Sequence, residues 1–534
     1  MRPAGFASVA VGVAALTLTA RVVGFGRSLV FSKTVGDTCL GDAYNAANLL
    51  PNVLFEIVAG GVLAGVVVPV VARHVGGRRP AAAARTASAL VTWTLLLLTP
   101  AAALAWLGAA RYGTAFSAAS CPSGAATVAA LLAMFVPQLW LYGLAVVSAG
   151  ILQAHSRFLA AAAAPLFSSL VVVGAYLLYF RVTAAGASSD LTLLPTEALR
   201  VLGWGTTLGV AALALTTLVP LTRLGLRLRP RLQFAAGDTD VIVRIAAAGV
   251  AGLVVQQLSL LLISWAAKQT GEPGALTRFS WANAIYLLPY AVLVAPLLQL
   301  VFPRLSAAAE QGSDAVGEVL GAIAAPVVVL AGLGAALLAA TAVPVARVFV
   351  LGPGSGRTEA LAWPIVALAP AVLGFALLGL GSRALLAQHL ARASGAATVL
   401  AWAVVIVAVL VLRSLVPGPW VVTALGAAVS VGMLTGAVAA YAAVRRRPSG
   451  ASLRLARPLL VTWVAGSAAG GLVGWWSWRL VDVGLGRAVL GAFGCALACA
   501  LAYALLVLAL DRRLLRQVLA LRGRPAERST VGGA

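Results

Sequence analysis

Residues 319–346 read VLGAIAAPVVVLAGLGAALLAATAVPVA and contain no charged side chain. A helix needs about 20 consecutive apolar residues to cross the hydrocarbon of a bilayer. This stretch exceeds that length, so it predicts a transmembrane helix.

Thirteen further stretches along the chain are also long and predominantly apolar, although some of them contain a few charged residues. Together they predict an all-α polytopic membrane protein with about fourteen transmembrane helices. Several exceed the minimum length, which predicts tilted or kinked helices. The predicted spans are 7–36, 43–72, 86–110, 124–154, 157–180, 193–222, 241–267, 277–303, 319–346, 360–382, 393–412, 419–444, 458–478 and 488–510.

The composition supports the same class of protein. Hydrophobic residues make up 61% of the 534 residues and charged residues 10%, against roughly 45–50% and about 25% in soluble domains. The net charge of +23 could suggest a nucleic-acid partner. However, the basic residues form short runs between apolar segments, such as the three arginines at 445–447, which is typical of cytoplasmic loops. We therefore expect no nucleic-acid binding.

The distribution of Lys and Arg also predicts the orientation in the membrane. When the N-terminus is placed in the cytoplasm, most of the 38 basic residues fall on the cytoplasmic side. We therefore predict a multi-pass protein of the bacterial cytoplasmic (inner) membrane with both termini cytoplasmic. The first apolar stretch contains Arg21 and Arg27 and is interpreted as a retained span, not a cleaved signal peptide.

A weak internal repeat suggests how the spans are grouped. Residues 48–51 read NLLP, residues 286–289 read YLLP, and each is followed by a second proline within one helix length. Chance is an alternative explanation of this similarity. A true repeat would fit a transporter built from two similar halves. The predicted domains are a six-helix lobe at 1–225, a second six-helix lobe at 238–444, two additional transmembrane helices at 456–511 and a short basic cytoplasmic tail at 512–534.

Three charged residues lie well inside predicted spans, namely Arg21, Arg27 and Glu56. An ionised side chain in hydrocarbon costs about 2.5–3.5 kcal/mol, so each needs a water-filled cavity or an opposite charge. One interpretation is that the two guanidinium groups hold an anionic headgroup, because their planar fork pairs with phosphate. The alternative is a structural ion pair between Arg21 and Glu56 that joins two helices.

The second span carries a polar stripe. Its members recur at spacings of three and four residues, which places them on one face of a helix: Asp42, Asn45, Asn48, Asn52 and Glu56. In lipid such a face must meet protein or water, so we predict that this helix lines a cavity. The nearby Asp37 is expected to lie in solvent.

The remaining reactive residue types indicate no catalytic chemistry. Cys39 and Cys121 both fall in predicted outside loops and are a candidate disulfide. Cys495 and Cys499 are interpreted as small apolar residues of the last span. No spacing of Cys, His, Asp or Glu indicates a metal site, and no Ser, His and Asp combination indicates a nucleophile. We therefore expect a protein that is not an enzyme and needs no cofactor.

Three short motifs resemble a known family. Residues 21–27 read RVVGFGR, residues 41–52 read GDAYNAANLLPN, and residues 60–63 read GGVL, followed by a proline at 69. These resemble the opening of the MurJ/MviN family of lipid II flippases. That family belongs to the multidrug/oligosaccharidyl-lipid/polysaccharide exporter superfamily, and the motifs are most similar to its actinobacterial branch.

The resemblance implies a fold, a substrate and a set of cavity residues. Two six-helix lobes would surround a central cationic cavity that opens alternately to the cytoplasm and the outside. Lipid II, the undecaprenyl-diphosphate-linked peptidoglycan precursor, would be carried outward through it. Membrane lipids and other cell-wall synthesis or division proteins would be the partners. By position, Arg21, Arg27, Asp42 and Asn52 match cavity residues of the family.

The sequence also departs from the family. Many relatives carry two arginines where this chain has Phe55 and Glu56, and another where it has Ala284. Arg278, on the same predicted helix as Ala284, is our candidate replacement in the cavity. The loss of these arginines keeps two other functions open: an exporter of another lipid-linked glycan or of drugs, and a non-transporting scaffold of the cell-wall machinery.

Overall fold

The structure is a computed structural model, and it describes residues 3–57, 64–184, 186–226, 228–235, 238–268, 272–447 and 454–520. Within these residues the chain is helical and forms no β-strand. Asp37 and Gly354 form an isolated β-bridge outside any strand. The predicted all-α class is confirmed.

The helices alternate with short connections. Within the described residues, short 3-10 turns and a π-helical turn at Tyr290–Val294 supplement the α-helices. The α-helices are α1 Pro3–Thr34, α2 Cys39–Phe55, α3 Ala64–Gly76, α4 Pro80–Leu107, α5 Ala109–Phe116, α6 Gly124–Phe135, α7 Gln138–Ala154, α8 Leu159–Val182, α9 Thr196–Thr222, α10 Asp238–Ala267, α11 Ala275–Pro289, α12 Ala295–Gln311, α13 Ser313–Val350, α14 Glu359–Ala387, α15 Ala391–Leu415, α16 Val421–Arg445, α17 Ala456–Ser477, α18 Leu485–Leu510 and α19 Arg512–Ala520.

The described residues contain twelve helical stretches that are long and apolar enough to cross a membrane. The chain is therefore a multi-pass membrane protein. The two other predicted spans, 43–72 and 241–267, are represented by the shorter apolar helices Val67–Gly76 and Ala251–Ala267. The count of fourteen is compatible with this result and stays a prediction.

Large apolar side chains cover the outside of these helices. Leu104, Leu415 and Phe493 are 72%, 73% and 73% exposed. In water each would leave a large hydrophobic area uncovered, whereas in hydrocarbon this exposure has no hydrophobic cost. The exposed surface is thus suited to lipid.

Two prolines interrupt predicted spans. Pro137 separates α6 from α7, so the predicted span 124–154 is two helices in sequence. Pro289 is followed by the π-turn Tyr290–Val294 and then by α12. Proline has no amide hydrogen and its ring crowds the preceding turn, which is why the regular hydrogen-bond ladder changes at these positions.

The chain divides into two compact units. The first unit comprises Met1–Trp281, Phe349–Arg357 and Val409–Val422. The second comprises Ala282–Val348, Thr358–Ala408 and Thr423–Ala534. These bounds differ from those of the predicted lobes, 1–225 and 238–444, which stay a prediction.

In the first unit, α10 is fastened to α3 and α4 at its first residue. Asp238 is fully buried and forms an ion pair with Arg73. It also accepts a hydrogen bond from Thr86 Oγ1 at 2.5 Å and contacts His74 Nε2 at 2.9 Å. This buried carboxylate explains why the start of α10 belongs to the first unit.

The segment that precedes α10 is held along α4. The backbone amides of Arg229 and Arg231 donate to the hydroxyls of Ser88 and Thr92, at 3.2 and 3.1 Å. The indole of Trp93 donates to the Leu232 carbonyl at 2.9 Å. The connection between the two predicted lobes is therefore bound to the surface of a helix and is not a free tether.

In the second unit, small residues let helices approach closely. A Cβ built on Gly332 of α13 would lie 1.9 Å from Thr462 of α17. Tyr503 of α18 donates to the Val329 carbonyl of α13 at 2.8 Å. Small residues at such contacts are typical of packed membrane helices. The last two membrane helices are thus joined to α13 by packing and by a buried hydrogen bond.

A disulfide bond links Cys39 and Cys121 in the first unit. Cys39 is the first residue of α2, and Cys121 lies between α5 and α6. Both side chains are buried. The bond therefore fixes the start of the polar second helix to its neighbours.

We predict that an alkylating reagent modifies two of the four cysteines in the denatured, unreduced protein. After reduction it should modify all four. The measurement is the mass of the intact protein after alkylation. Reduction should also lower the free energy of unfolding in detergent by about 2–5 kcal/mol. Four reactive thiols before reduction would contradict the bond.

Candidate functional site

The first unit contains a cavity of about 170 Å³. Helices α1, α2, α7, α8, α9 and α11 contribute its walls. Most of the side chains are polar or aromatic. The lining residues are Arg27, Ser28, Phe31, Tyr44, Asn45, Asn48, Asn52, Tyr142, Ser168, Val172, Tyr176, Thr206, Val210, Ser280 and Trp281.

Arg27 is the charged residue in this lining. Within the described residues, no carboxylate lies within ion-pair distance of its guanidinium and no side chain accepts a hydrogen bond from it. A guanidinium carries five N–H donors and no acceptor. An uncompensated cation in a cavity of the protein attracts an anion, and its planar fork fits a phosphate or carboxylate. The cavity is therefore suited to an anionic ligand.

Three of the residues in the predicted polar stripe lie together in the lining. Asn45, Asn48 and Asn52 all face the cavity from α2, as helical spacing requires. Asn48 Oδ1 is buried and has no hydrogen-bond partner in the described part of the chain. Buried amide oxygens are normally satisfied, so this atom is available to a ligand.

Aromatic residues close one side of the cavity. Tyr44 packs against Phe31, Phe135 and Tyr176, with ring centroids 5.1, 5.6 and 6.0 Å apart. Sequence reasoning did not select Tyr142, Tyr176 or Thr206, because single polar residues in apolar helices follow no diagnostic spacing. Tyr44 lies inside the 41–52 motif, which was the available signal for it.

Asp42 belongs to the polar stripe but does not line the cavity. Its carboxylate accepts hydrogen bonds from the amides of Gly274 and Thr277, at 2.8 and 2.9 Å, and from Thr277 Oγ1 at 2.9 Å. It thereby satisfies amides at the start of α11 that have no partner within the helix. Asn45 Nδ2 donates to Thr277 Oγ1 at 3.1 Å. Asp42 is therefore linked to a side chain of the cavity lining through hydrogen bonds with Thr277.

Arg21 and Glu56 lie outside the cavity lining. Both side chains are exposed, and the structure shows no ion pair between them. Of the two arginines of α1, Arg27 is the one that the fold places in this cavity.

Arg278 also lies outside the lining and is 2% exposed. Its guanidinium pairs with Asp37 at 3.0 Å and with Glu272 at 3.1 Å. Ser355 Oγ donates to the same Asp37 carboxylate at 2.5 Å. Two carboxylates therefore compensate its charge, in contrast to Arg27.

The expectation that Asp37 lies in solvent was wrong, because this residue is 1% exposed. Asp37 lies in the loop before α2, and its carboxylate is enclosed by two further loops, the one that leads through Gly274 into α11 with Arg278 and the one that carries Ser355. Gly274 has φ +82°, and a Cβ there would lie 2.2 Å from the Asp37 carbonyl oxygen. The sequence could not show this enclosure, since the three loops are far apart along the chain.

A sequence profile described as "Lipid II flippase MurJ" matches residues 31–493. The match includes α2 to α17 and most of the cavity lining. The chain belongs to the lipid II flippase MurJ family. The resemblance of its opening motifs to this family is thereby confirmed.

Curated relatives agree with this assignment. The chain is 27% identical over 310 residues to a "Probable lipid II flippase MurJ" of Rhizobium meliloti (strain 1021), covering 56% of this chain and 55% of the relative. It is 26% identical over 307 residues to a protein of the same description from Rhizobium tropici, with the same shares covered. This MurJ-family chain thus matches about half the length of these relatives.

Solved structures share the fold. A structure described as "Lipid II flippase MurJ, inward closed conformation" superposes with a TM-score of 0.72 at 15% identity, covering 94% of this chain and 99% of that one. An inward-facing multidrug resistance MATE family transporter of the MOP superfamily gives a TM-score of 0.67 at 13% identity, covering 82% and 98%. At these identities the likeness concerns the fold alone.

We predict that Asp42→Ala lowers the free energy of unfolding of this MurJ-family protein in detergent by about 1–3 kcal/mol. The amides of Gly274 and Thr277 would lose their acceptor in a partly buried place. Glu56→Ala is the control, because that carboxylate is exposed and has no ion-pair partner in the described residues. Equal stability of the two variants would contradict the capping role of Asp42.

Arg278→Ala should have a larger effect. It should lower the free energy of unfolding by about 3–5 kcal/mol, because it leaves Asp37 as an unpaired buried charge. Arg357→Ala is the matched control. Arg357 also pairs with Glu272, at 3.1 Å, but is half exposed, and such pairs contribute about 0–1 kcal/mol. Thermal unfolding of both variants measures the difference, and similar losses would show that burial does not set the strength of this cluster.

Proposed function

We propose that this protein moves lipid II from the inner to the outer leaflet of the bacterial cytoplasmic membrane by alternating access, in support of cell-wall synthesis. Membership of the MurJ family supports this activity. The observation that carries it is Arg27, a cation without a counter-ion in a polar cavity. Lipid II has a diphosphate, which is the group such a site would hold.

The cavity lining argues against a cationic drug as the substrate. Its described residues include no Asp or Glu, whereas a cation would need a compensating carboxylate in a place of low dielectric. The likeness to MATE transporters concerns the fold and assigns no substrate. An exporter of another anionic lipid-linked glycan is the alternative that the same lining would serve.

The second unit carries an apolar groove. A groove of about 390 Å³ lies among α13, α14, α16 and α17. Its lining consists mainly of Leu, Ala and Val, for example Leu377, Leu434 and Leu459. Its surface suits a hydrocarbon chain, because hydrocarbon loses nothing by leaving the bilayer for it.

The orientation with both termini in the cytoplasm is part of this proposal. It rests on the excess of Lys and Arg in the segments assigned to that side. The Cys39–Cys121 bond lies on the opposite, oxidising side in this orientation. The arrangement supports transport from cytoplasm to outside as the direction of function. Other cell-wall synthesis or division proteins are proposed as partners on family grounds.

The test is depletion and rescue in a bacterium whose own lipid II flippase can be shut off. Wild-type protein should restore lipid II in the outer leaflet, and Arg27→Ala should reduce it about tenfold or more. A hydrogen bond to a charged group contributes about 1.5–3 kcal/mol, which corresponds to that factor or above. Arg21→Ala, assayed beside it, shows whether the second arginine of α1 also contributes.

Arg111→Ala is the matched control, because Arg111 is an exposed arginine outside the cavity. It should rescue like the wild type at equal expression. Rescue by Arg27→Ala at the wild-type level would refute the cationic cavity as the substrate site. No rescue by correctly inserted wild-type protein would favour another glycan substrate or the scaffold function.

A further inference from the structure

A chain of hydroxyl groups crosses one wall of the cavity. Tyr176 Oη lies 2.8 Å from Tyr44 Oη, which lies 3.0 Å from Thr206 Oγ1. Thr206 Oγ1 also lies 2.8 Å from the Leu202 carbonyl oxygen of its own helix. Three hydroxyls thus form consecutive hydrogen bonds that end on a backbone carbonyl.

The direction of these bonds follows from the number of protons. A carbonyl can only accept, and each hydroxyl has a single proton, so Thr206 donates to Leu202. Tyr44 must then donate to Thr206, and Tyr176 must donate to Tyr44. Tyr176 has therefore used its proton, and its oxygen can only accept a hydrogen bond from anything else in the cavity.

Asn45 has the same property for a different reason. Its Nδ2 donates to the Gly41 carbonyl at 2.9 Å and to Thr277 Oγ1 at 3.1 Å. Because the Gly41 carbonyl cannot donate, the amide nitrogen must face it, which fixes the orientation of the side chain. Thr277 gives its own proton to Asp42. Both amide protons of Asn45 are thus engaged, and Oδ1 is left as an acceptor.

Several lining groups, such as the hydroxyls of Ser28 and Tyr142, can both donate and accept, but two sets are restricted in what they can bind. Arg27 can only donate, whereas Tyr176 Oη and Asn45 Oδ1 can only accept. An anion suits the first and is disfavoured by the second. A neutral O–H or N–H group suits the second. A ligand that meets both must combine an anionic group with neutral donors.

We propose that Tyr176 and Asn45 form an acceptor subsite that binds neutral O–H or N–H donors of the substrate headgroup beside the anion held by Arg27. The inference rests on the proposed function and specifies how the headgroup is distinguished from bare polyprenyl diphosphate. The donors can come from the sugar hydroxyl and acetamido groups or from the peptide amides. A site built to pair with such groups discriminates strongly against ligands that lack them.

The experiment measures binding of three lipids to the full-length protein in nanodiscs. They are undecaprenyl diphosphate, the disaccharide-linked form without peptide, and the form with disaccharide and pentapeptide. Tyr176→Phe keeps the ring and removes the acceptor oxygen. It should raise the Kd of the sugar-bearing lipids about tenfold, the effect of about 1.4 kcal/mol, and change that of undecaprenyl diphosphate less than twofold.

A second pair of variants tests the direction of the hydroxyl chain. Thr206→Val has nearly the same shape but cannot accept from Tyr44, so the protons of Tyr44 and Tyr176 become free to turn. Thr206→Ser retains the acceptor and the bond to Leu202. Thr206→Val should therefore weaken binding of the sugar-bearing lipids selectively, and Thr206→Ser should bind them like the wild type. This pair also serves if Tyr176→Phe does not fold.

The outcomes separate this inference from the proposed function. A selective loss with both sugar-bearing lipids supports a sugar contact, and a loss with the pentapeptide form alone supports a peptide contact. Equal losses for all three lipids, or no loss, would overturn the acceptor subsite while leaving Arg27 as an anion site. If the wild-type protein binds none of the lipids, the proposed function itself fails and the subsite with it.

Discussion

The hydrocarbon of a bilayer supplies no hydrogen-bond donor or acceptor, so each polar group inside it must find its partner within the protein or in a water-filled space. This constraint explains why the described chain is helical, since a helix satisfies its own backbone. It also explains the treatment of the polar side chains. Thr and Ser residues on the helices commonly bond to a carbonyl one turn earlier, as Thr94 does to Leu90.

The same constraint explains the different roles of Arg27 and Arg278, two arginines of the first unit. Arg278 is enclosed by two carboxylates and holds loops from three parts of the sequence together. Arg27 lies in a cavity with tyrosine, asparagine and serine neighbours and no carboxylate among the described lining. An arginine with compensated charge stabilises the fold, whereas one without compensation is available to an anionic ligand.

The cavity and the start of α11 are connected by a short series of hydrogen bonds. Asn45 donates to Thr277, and Thr277 donates to Asp42, which also accepts from the first amides of α11. The helix end thus orients a side chain of the cavity wall. The bond between Thr206 and its own helix carbonyl orients Tyr44 and Tyr176 in the same way. In both cases a backbone carbonyl or a carboxylate, which can only accept, fixes the direction of the protons.

The sequence by itself determined the class of the protein, because long uncharged apolar stretches have no stable place outside a bilayer. It also determined that α2 carries a polar face, since helical spacing alone aligns Asn45, Asn48 and Asn52. The motifs of the first 70 residues were enough to indicate the family.

Tertiary structure decided which charges are paired. Asp37 and Glu272 lie in loops and Arg278 lies in the first turn of α11, and no local pattern encodes their approach, so the enclosure of Asp37 was missed. It likewise decided that Tyr142, Tyr176 and Thr206 meet Arg27 in one cavity, because single polar residues on separate helices acquire a common function only when those helices pack together.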